Sequence, residues 1–113
     1  MSDKSINDAV DFLYTHGAKF AEAKAHRVYL EEFRKSKKAI LMKAALADGR
    51  AKSSAAAEME AYADATYIEL LEGLKAATAS EEALRWGLIS AQARIEVYRT
   101  QSANDRAMDR SVK

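Results

Sequence analysis

Ten residues at alternating steps of three and four (Tyr67, Leu70, Leu74, Ala77, Glu81, Leu84, Leu88, Ala91, Ile95 and Tyr98) fall on one line of a helix. Only Glu81 interrupts its apolar character. An apolar line sustained over more than four heptads is the period of coiled-coil-like helix packing and of no sheet. It predicts a last helix of about 40 residues, from Thr66 to about Met108, which at 1.5 Å per residue would be about 60 Å long. A rod of that length is not stable alone in water and needs a partner along its side.

The preceding stretch supplies one. His26, Leu30, Phe33, Lys37, Ile40 and Ala44 repeat the rhythm, with Lys37 as the charged position. Setting Lys37 opposite Glu81 in an antiparallel hairpin places Ile40 by Ala77, Phe33 by Leu84 or Arg85, and Leu30 by Leu88. Large side chains then tend to face small ones. An ion pair at that point would penalise slipped registers more than it would stabilise the fold.

Composition agrees with helices throughout. The chain has 113 residues, no proline, no cysteine and four glycines. About a fifth of the residues are alanine, the strongest helix former, and no alternating β-branched run suggests a strand. Ser5 with Asp8 resembles a capping box for a short N-terminal helix carrying Ile6, Val10, Phe12 and Leu13. Gly17 either kinks the chain after it or is carried at a cost of about 1 kcal/mol. Asp48-Gly49 ends the next helix. Ser53 or Ser54 opens a short connecting helix with Met59 and Tyr62, and Thr66 with Glu69 forms a T-x-x-E box for the last helix. The expected architecture is all-α: a long antiparallel, coiled-coil-like hairpin with a short N-terminal helix and a short connecting helix, assembling as a helical bundle. Residues 1–113 form a single domain whose polar end, from about Asn104, is expected to fray.

The last helix has a second apolar face. Ala79, Ala83, Trp86, Ser90, Ala93 and Val97 keep the three–four rhythm there, with Ile89 beside them. A helix that is apolar on two sides is covered on two sides. Ala79, Ala83, Trp86, Ile89, Ala93 and Val97 are therefore the candidate partner or self-association face, with a homo-oligomer, a dimer first, as the expected state. Gly73, Ser80 and Gly87 add a stripe of small residues at which another backbone can approach.

Chemistry is sparse. His16 and His26 are ten residues apart and no second Glu–His pair accompanies Glu22 and His26, so a di-iron arrangement is not expected. The carboxylate pairs Glu69/Glu72, Glu81/Glu82 and Glu58/Glu60 read as solvated surface. With no cysteine nucleophile, glycine-rich phosphate loop or serine elbow, the expectation is a protein without catalytic residues, cofactor or metal. The concentrated charge is basic: Arg27, Arg34, Lys35, Lys38 and Lys43, with Lys37 among them, are the candidate nucleic-acid contacts. Arg94, Arg99, Arg106, Arg110 and Lys113 form a looser series. Tyr29 and Tyr98 lie near enough in sequence to stack bases of a single strand. Against this stands the balance of 18 basic and 17 acidic residues, since proteins that coat nucleic acid usually carry a clear positive excess. No run of apolar residues is long enough for a membrane span, and Met1-Ser2-Asp3-Lys4-Ser5 lacks a signal-peptide core. A cytoplasmic protein is expected.

The segments Val28-Tyr29-Leu30-Glu31-Glu32-Phe33-Arg34-Lys35-Ser36-Lys37-Lys38-Ala39 and Ala91-Gln92-Ala93-Arg94-Ile95-Glu96-Val97-Tyr98-Arg99 resemble small helical proteins of unknown function encoded by tailed phages and prophages. The resemblance covers roughly residues 18 to 107 and carries no catalytic residues. It implies a protein at work in the cytoplasm of a bacterial host cell, accessory to DNA recombination or replication, in contact with a partner protein or single-stranded DNA. Two alternatives stand beside it: an inhibitor or adaptor that binds a host protein, and a structural component whose apolar face is an assembly interface.

Overall fold

The computed structural model describes residues 3–112, and among these the chain is helical but for two short connections. Helix α1 spans Asp3–Ala47, α2 spans Ser54–Ala63 and α3 spans Ala65–Val112. The described residues contain no strand. They divide into two compact units, one formed by Ala23–Glu81 and the other by the flanking segments up to Glu22 and from Glu82.

The stops lie close to where the local chemistry puts them. Gly49 adopts φ +81°, a left-handed conformation that costs glycine little. The turn is closed by the Asp48 N–H on Ala44 O at 3.0 Å and the Ala51 N–H on Ala45 O at 3.1 Å. Ser53 caps α2, its hydroxyl oxygen accepting from the Ala56 N–H at 3.1 Å. The cap of α3 lies two residues earlier than the T-x-x-E pattern suggests. Asp64 is the capping residue, accepting from the Thr66 N–H at 2.8 Å and from the Thr66 hydroxyl. These bonds, the Thr66 hydroxyl first among them, hold the Asp64 carboxyl below its ordinary pKa.

Two expectations change. The short N-terminal helix is not separate: Gly17 lies inside α1, nothing standing within 4 Å of where a Cβ would be. Its cost is carried because the flanking turns pack, and Ser5 is already within the helix rather than at its cap. At the other end α3 continues through the polar stretch to Val112.

Within Ala23–Glu81, α1 and α3 run antiparallel with α2 between them in sequence, and the register differs from the expected one. Glu81 pairs with Arg27, not Lys37. Arg27 donates from Nε and Nη2 to the two carboxylate oxygens at 2.6 and 3.0 Å, and from Nη1 to Glu31 at 3.0 Å. Lys37 instead lies where its charge acts on Asp64. The inward line of α1 is Ala23, Arg27, Leu30, Arg34, Lys37 and Leu41, all half-buried, while His26, Phe33, Ile40 and Ala44 are exposed. Three cations on the seam hide it from an apolar count. Their methylene stems cover the partner helix while their charged heads reach carboxylates or water. The small core of this unit gathers Ala45, Ala51 and Ala57, with Met42 and Ala56 against them.

In the other unit the first part of α1 lies antiparallel to the later part of α3. The Tyr98 hydroxyl donates to Asp3 at 3.1 Å, and the Phe12 ring, stacked on His16 with centroids 3.9 Å apart, sits against Gly87. A Cβ at Gly87 would stand 3.0 Å from that ring. The close approach at Gly87 thus belongs to Phe12 of the same chain rather than to another backbone, while Gly73 has open space around it. Ala9 and Ala91 are fully buried here.

Candidate interaction surfaces

The packed side of α3 is the side its sequence periodicity marks. All ten residues of the line from Tyr67 to Tyr98 are buried or half-buried. The opposite side is open. Ala79, Ala83, Trp86, Ile89, Ser90, Ala93 and Val97 are all exposed, Trp86 at 59% and Val97 at 47%. In the unit that holds Trp86, the N-terminal segment of α1 packs on the seam and leaves this face uncovered.

Surface composition makes that face conspicuous. Among the described residues no large side chain is fully buried, whereas fifteen large hydrophobics are exposed. Isolated apolar side chains are ordinary on any protein surface, but a contiguous patch around a tryptophan marks an interaction site. Arg85 lies over the Trp86 ring at 4.9 Å from its centroid, a cation–π contact that holds the indole in place without hiding it. Arg85 also pairs with Glu82 at 2.8 Å, and Arg99 with Glu96 at 3.0 Å.

A second exposed apolar feature lies on α1, where Tyr29 and Phe33 stack with centroids 5.9 Å apart. Beyond it, Arg34, Lys35 and Lys38 of α1 border an open depression of about 480 Å³ with Tyr62, Tyr67 and Leu71. These cations meet the tyrosines of α2 and α3 there. Lys38 sits over the Tyr62 ring, 4.7 Å from its centroid, and 3.3 Å from Glu58. Contact with Tyr62 is the largest influence raising the Lys38 pKa. Arg27 is taken up by Glu81 and Glu31, and Lys35 by Glu32 at 3.3 Å. Of the five expected nucleic-acid contacts, Arg27, Lys35 and Lys38 are thus answered by carboxylates. Lys43 is exposed and Arg34 half-buried at the rim. A wider hollow of about 650 Å³ beside Tyr98, Arg99 and Arg106 is lined by α3 alone and brings no second element's chemistry together.

Among the described residues no cluster of histidine, cysteine or carboxylate side chains is arranged to hold a metal ion, and no helix is long and apolar enough to cross a membrane. No family model matches the chain, and no curated protein or solved structure is found to be similar to it.

Proposed function

We propose that this protein is a helical interaction module that acts by docking another helical surface on the outer face of α3. One observation carries the reading: the side of α3 opposite the packed seam presents Trp86, Ile89 and Val97 amid alanines, uncovered. Tryptophan is among the residues most enriched where interface energies concentrate, and small neighbours let a partner backbone come close. Direct contact with single-stranded nucleic acid ranks second, because carboxylates already answer three of the five cations offered for it. An accessory role in phage DNA recombination or replication, an inhibitor or adaptor role and a structural role all rest on a surface of this kind. The resemblance in sequence favours the first.

The reading is tested with a dye that fluoresces on exposed apolar surface, such as ANS, at dilute protein. Trp86→Glu is expected to lower the dye signal several-fold while far-UV circular dichroism keeps the helix content of the parent. Unchanged dye binding with intact helix would mean that the face is not an exposed apolar docking surface.

A further inference from the structure

The hollow that α1, α2 and α3 form within Ala23–Glu81 is built from residues that the docking face does not use. Arg34, Lys35 and Lys38, on neighbouring turns of α1, meet Tyr62 of α2 with Tyr67 and Leu71 of α3. The break at Asp64 brings the two tyrosines together, and their rings meet edge to face with centroids 5.5 Å apart. None of the described residues that line the hollow is a carboxylate. Two of its polar groups have no partner among the described residues. Arg34 is half-buried, yet its guanidinium makes no ion pair or hydrogen bond there. Tyr67 is only 6% exposed, and its hydroxyl makes no hydrogen bond there either. Since no described side-chain oxygen is both buried and unsatisfied, that hydroxyl keeps an opening to solvent. Polar groups so nearly enclosed are ordinarily answered by protein, water or ligand.

Each of these groups can donate. Arg34 offers a planar fork and Tyr67 a hydroxyl. Lys35 offers an ammonium whose pair with Glu32 is exposed on both sides and is therefore easily exchanged. A carboxylate brings one charge and two oxygens to these three donors. A phosphate monoester brings about −1.5 to −2 charges near pH 7 and three acceptor oxygens, one for each donor. Lys38 is held over the Tyr62 ring, 4.7 Å from its centroid, and 3.3 Å from Glu58, so it closes one side. Tyr62 and Leu71 are 45% and 38% exposed and give a flat body an apolar surface, as aromatic rings do for stacked bases. The volume of about 480 Å³ lies within the roughly 300–1,000 Å³ of small-molecule sites. We propose that this hollow binds a nucleoside 5′-monophosphate, its phosphate on Arg34, Lys35 and Tyr67 and its base against Tyr62 and Leu71. The site is separate from the docking role of Trp86, which lies in the other unit.

Titration of the full chain with adenosine 5′-monophosphate, followed by calorimetry and by amide NMR, tests the site. Saturable binding with a Kd of about 1 mM or tighter is expected, with shifts at Tyr67 and Leu71. Adenosine and inorganic phosphate should each bind far more weakly. Arg34→Met keeps the stem that covers the partner helix and removes the charge. It should weaken binding about ten- to hundredfold, the usual loss for hydrogen bonds to a charged group. Tyr67→Phe, which removes one oxygen, should weaken it roughly threefold with far-UV circular dichroism unchanged. Trp86→Glu should bind the nucleotide as wild type does, so failure here and failure of the docking face are told apart. No saturation up to about 10 mM, or equal affinity of Arg34→Met, would overturn the site. Should Arg34→Met lose helix, Tyr67→Phe and the adenosine comparison decide in its place. Adenosine bound as tightly as its monophosphate would overturn the phosphate contacts, and inorganic phosphate bound as tightly would overturn the base contacts. A 5′-phosphorylated oligonucleotide bound at least tenfold more tightly would overturn the free nucleotide in favour of a strand end.

Discussion

Ala91→Glu is expected to unfold much of this protein, while Ala93→Glu, two residues along the same helix, leaves it folded. Ala91 is fully buried on the packed line of α3, with no solvent for a carboxylate to reach. Leaving an uncompensated charge in such a place costs about 3–5 kcal/mol. Total stabilities are typically about 5–15 kcal/mol, and a chain whose buried apolar residues are almost all alanines belongs near the lower end. Far-UV circular dichroism at 25 °C should show a large loss of helix, or a thermal midpoint lowered by well over 10 °C. Ala93 is exposed on the docking face, so its glutamate remains hydrated and helix content is kept. Equal tolerance of both substitutions would mean that the seam is misplaced.

The second large effect is expected at Arg27. Its guanidinium grips both oxygens of Glu81, a residue only 7% exposed, on a helix pair whose seam is otherwise lined by half-buried leucines and cationic side chains. Removing it by Arg27→Ala leaves a buried carboxylate without these two charge-assisted bonds, and such bonds are about twice as strong as neutral ones. The thermal midpoint should fall further for Arg27→Ala than for removal of any other cation. Lys35→Ala, which loses only an exposed pair with Glu32, should be within error of wild type. Because a buried ion pair can often be replaced by packed apolar residues without loss, the double variant Arg27→Met with Glu81→Leu is expected to recover most of the stability. A single variant as stable as wild type would show that the pair does not set the register.

How far the fold can be read from the chain depends on what each seam is made of. The α3 line is legible because nine of its ten positions are apolar and the tenth, Glu81, keeps the spacing. Its partner line on α1 is not, because Arg27, Arg34 and Lys37 occupy three of its six positions and an apolar count moves to the neighbouring stripe of His26, Phe33 and Ile40. That stripe sets Lys37 against Glu81 and shifts the register by ten residues, about 15 Å along a helix. The best bidentate partner for Glu81, rather than any cation on an apolar line, is an arginine. Gly49 and Ser53 are readable because turn and cap chemistry is local. Asp64 escapes notice because a T-x-x-E match beginning two residues later draws the boundary to itself. The outer face of α3 is identifiable residue by residue, since a tryptophan set among alanines on the side away from the seam gains little from facing water and much from facing a partner.

The most direct test of that face uses its own reporter. Trp86 is the only tryptophan and lies 59% exposed in the single chain. Quenching of its fluorescence by acrylamide should be strong in nanomolar protein, with the red emission of an indole in water. A fall in quenching and a shift to the blue as concentration rises would identify a second copy of the chain as the occupant. Weak quenching and blue emission already at nanomolar protein would contradict an open docking face around Trp86.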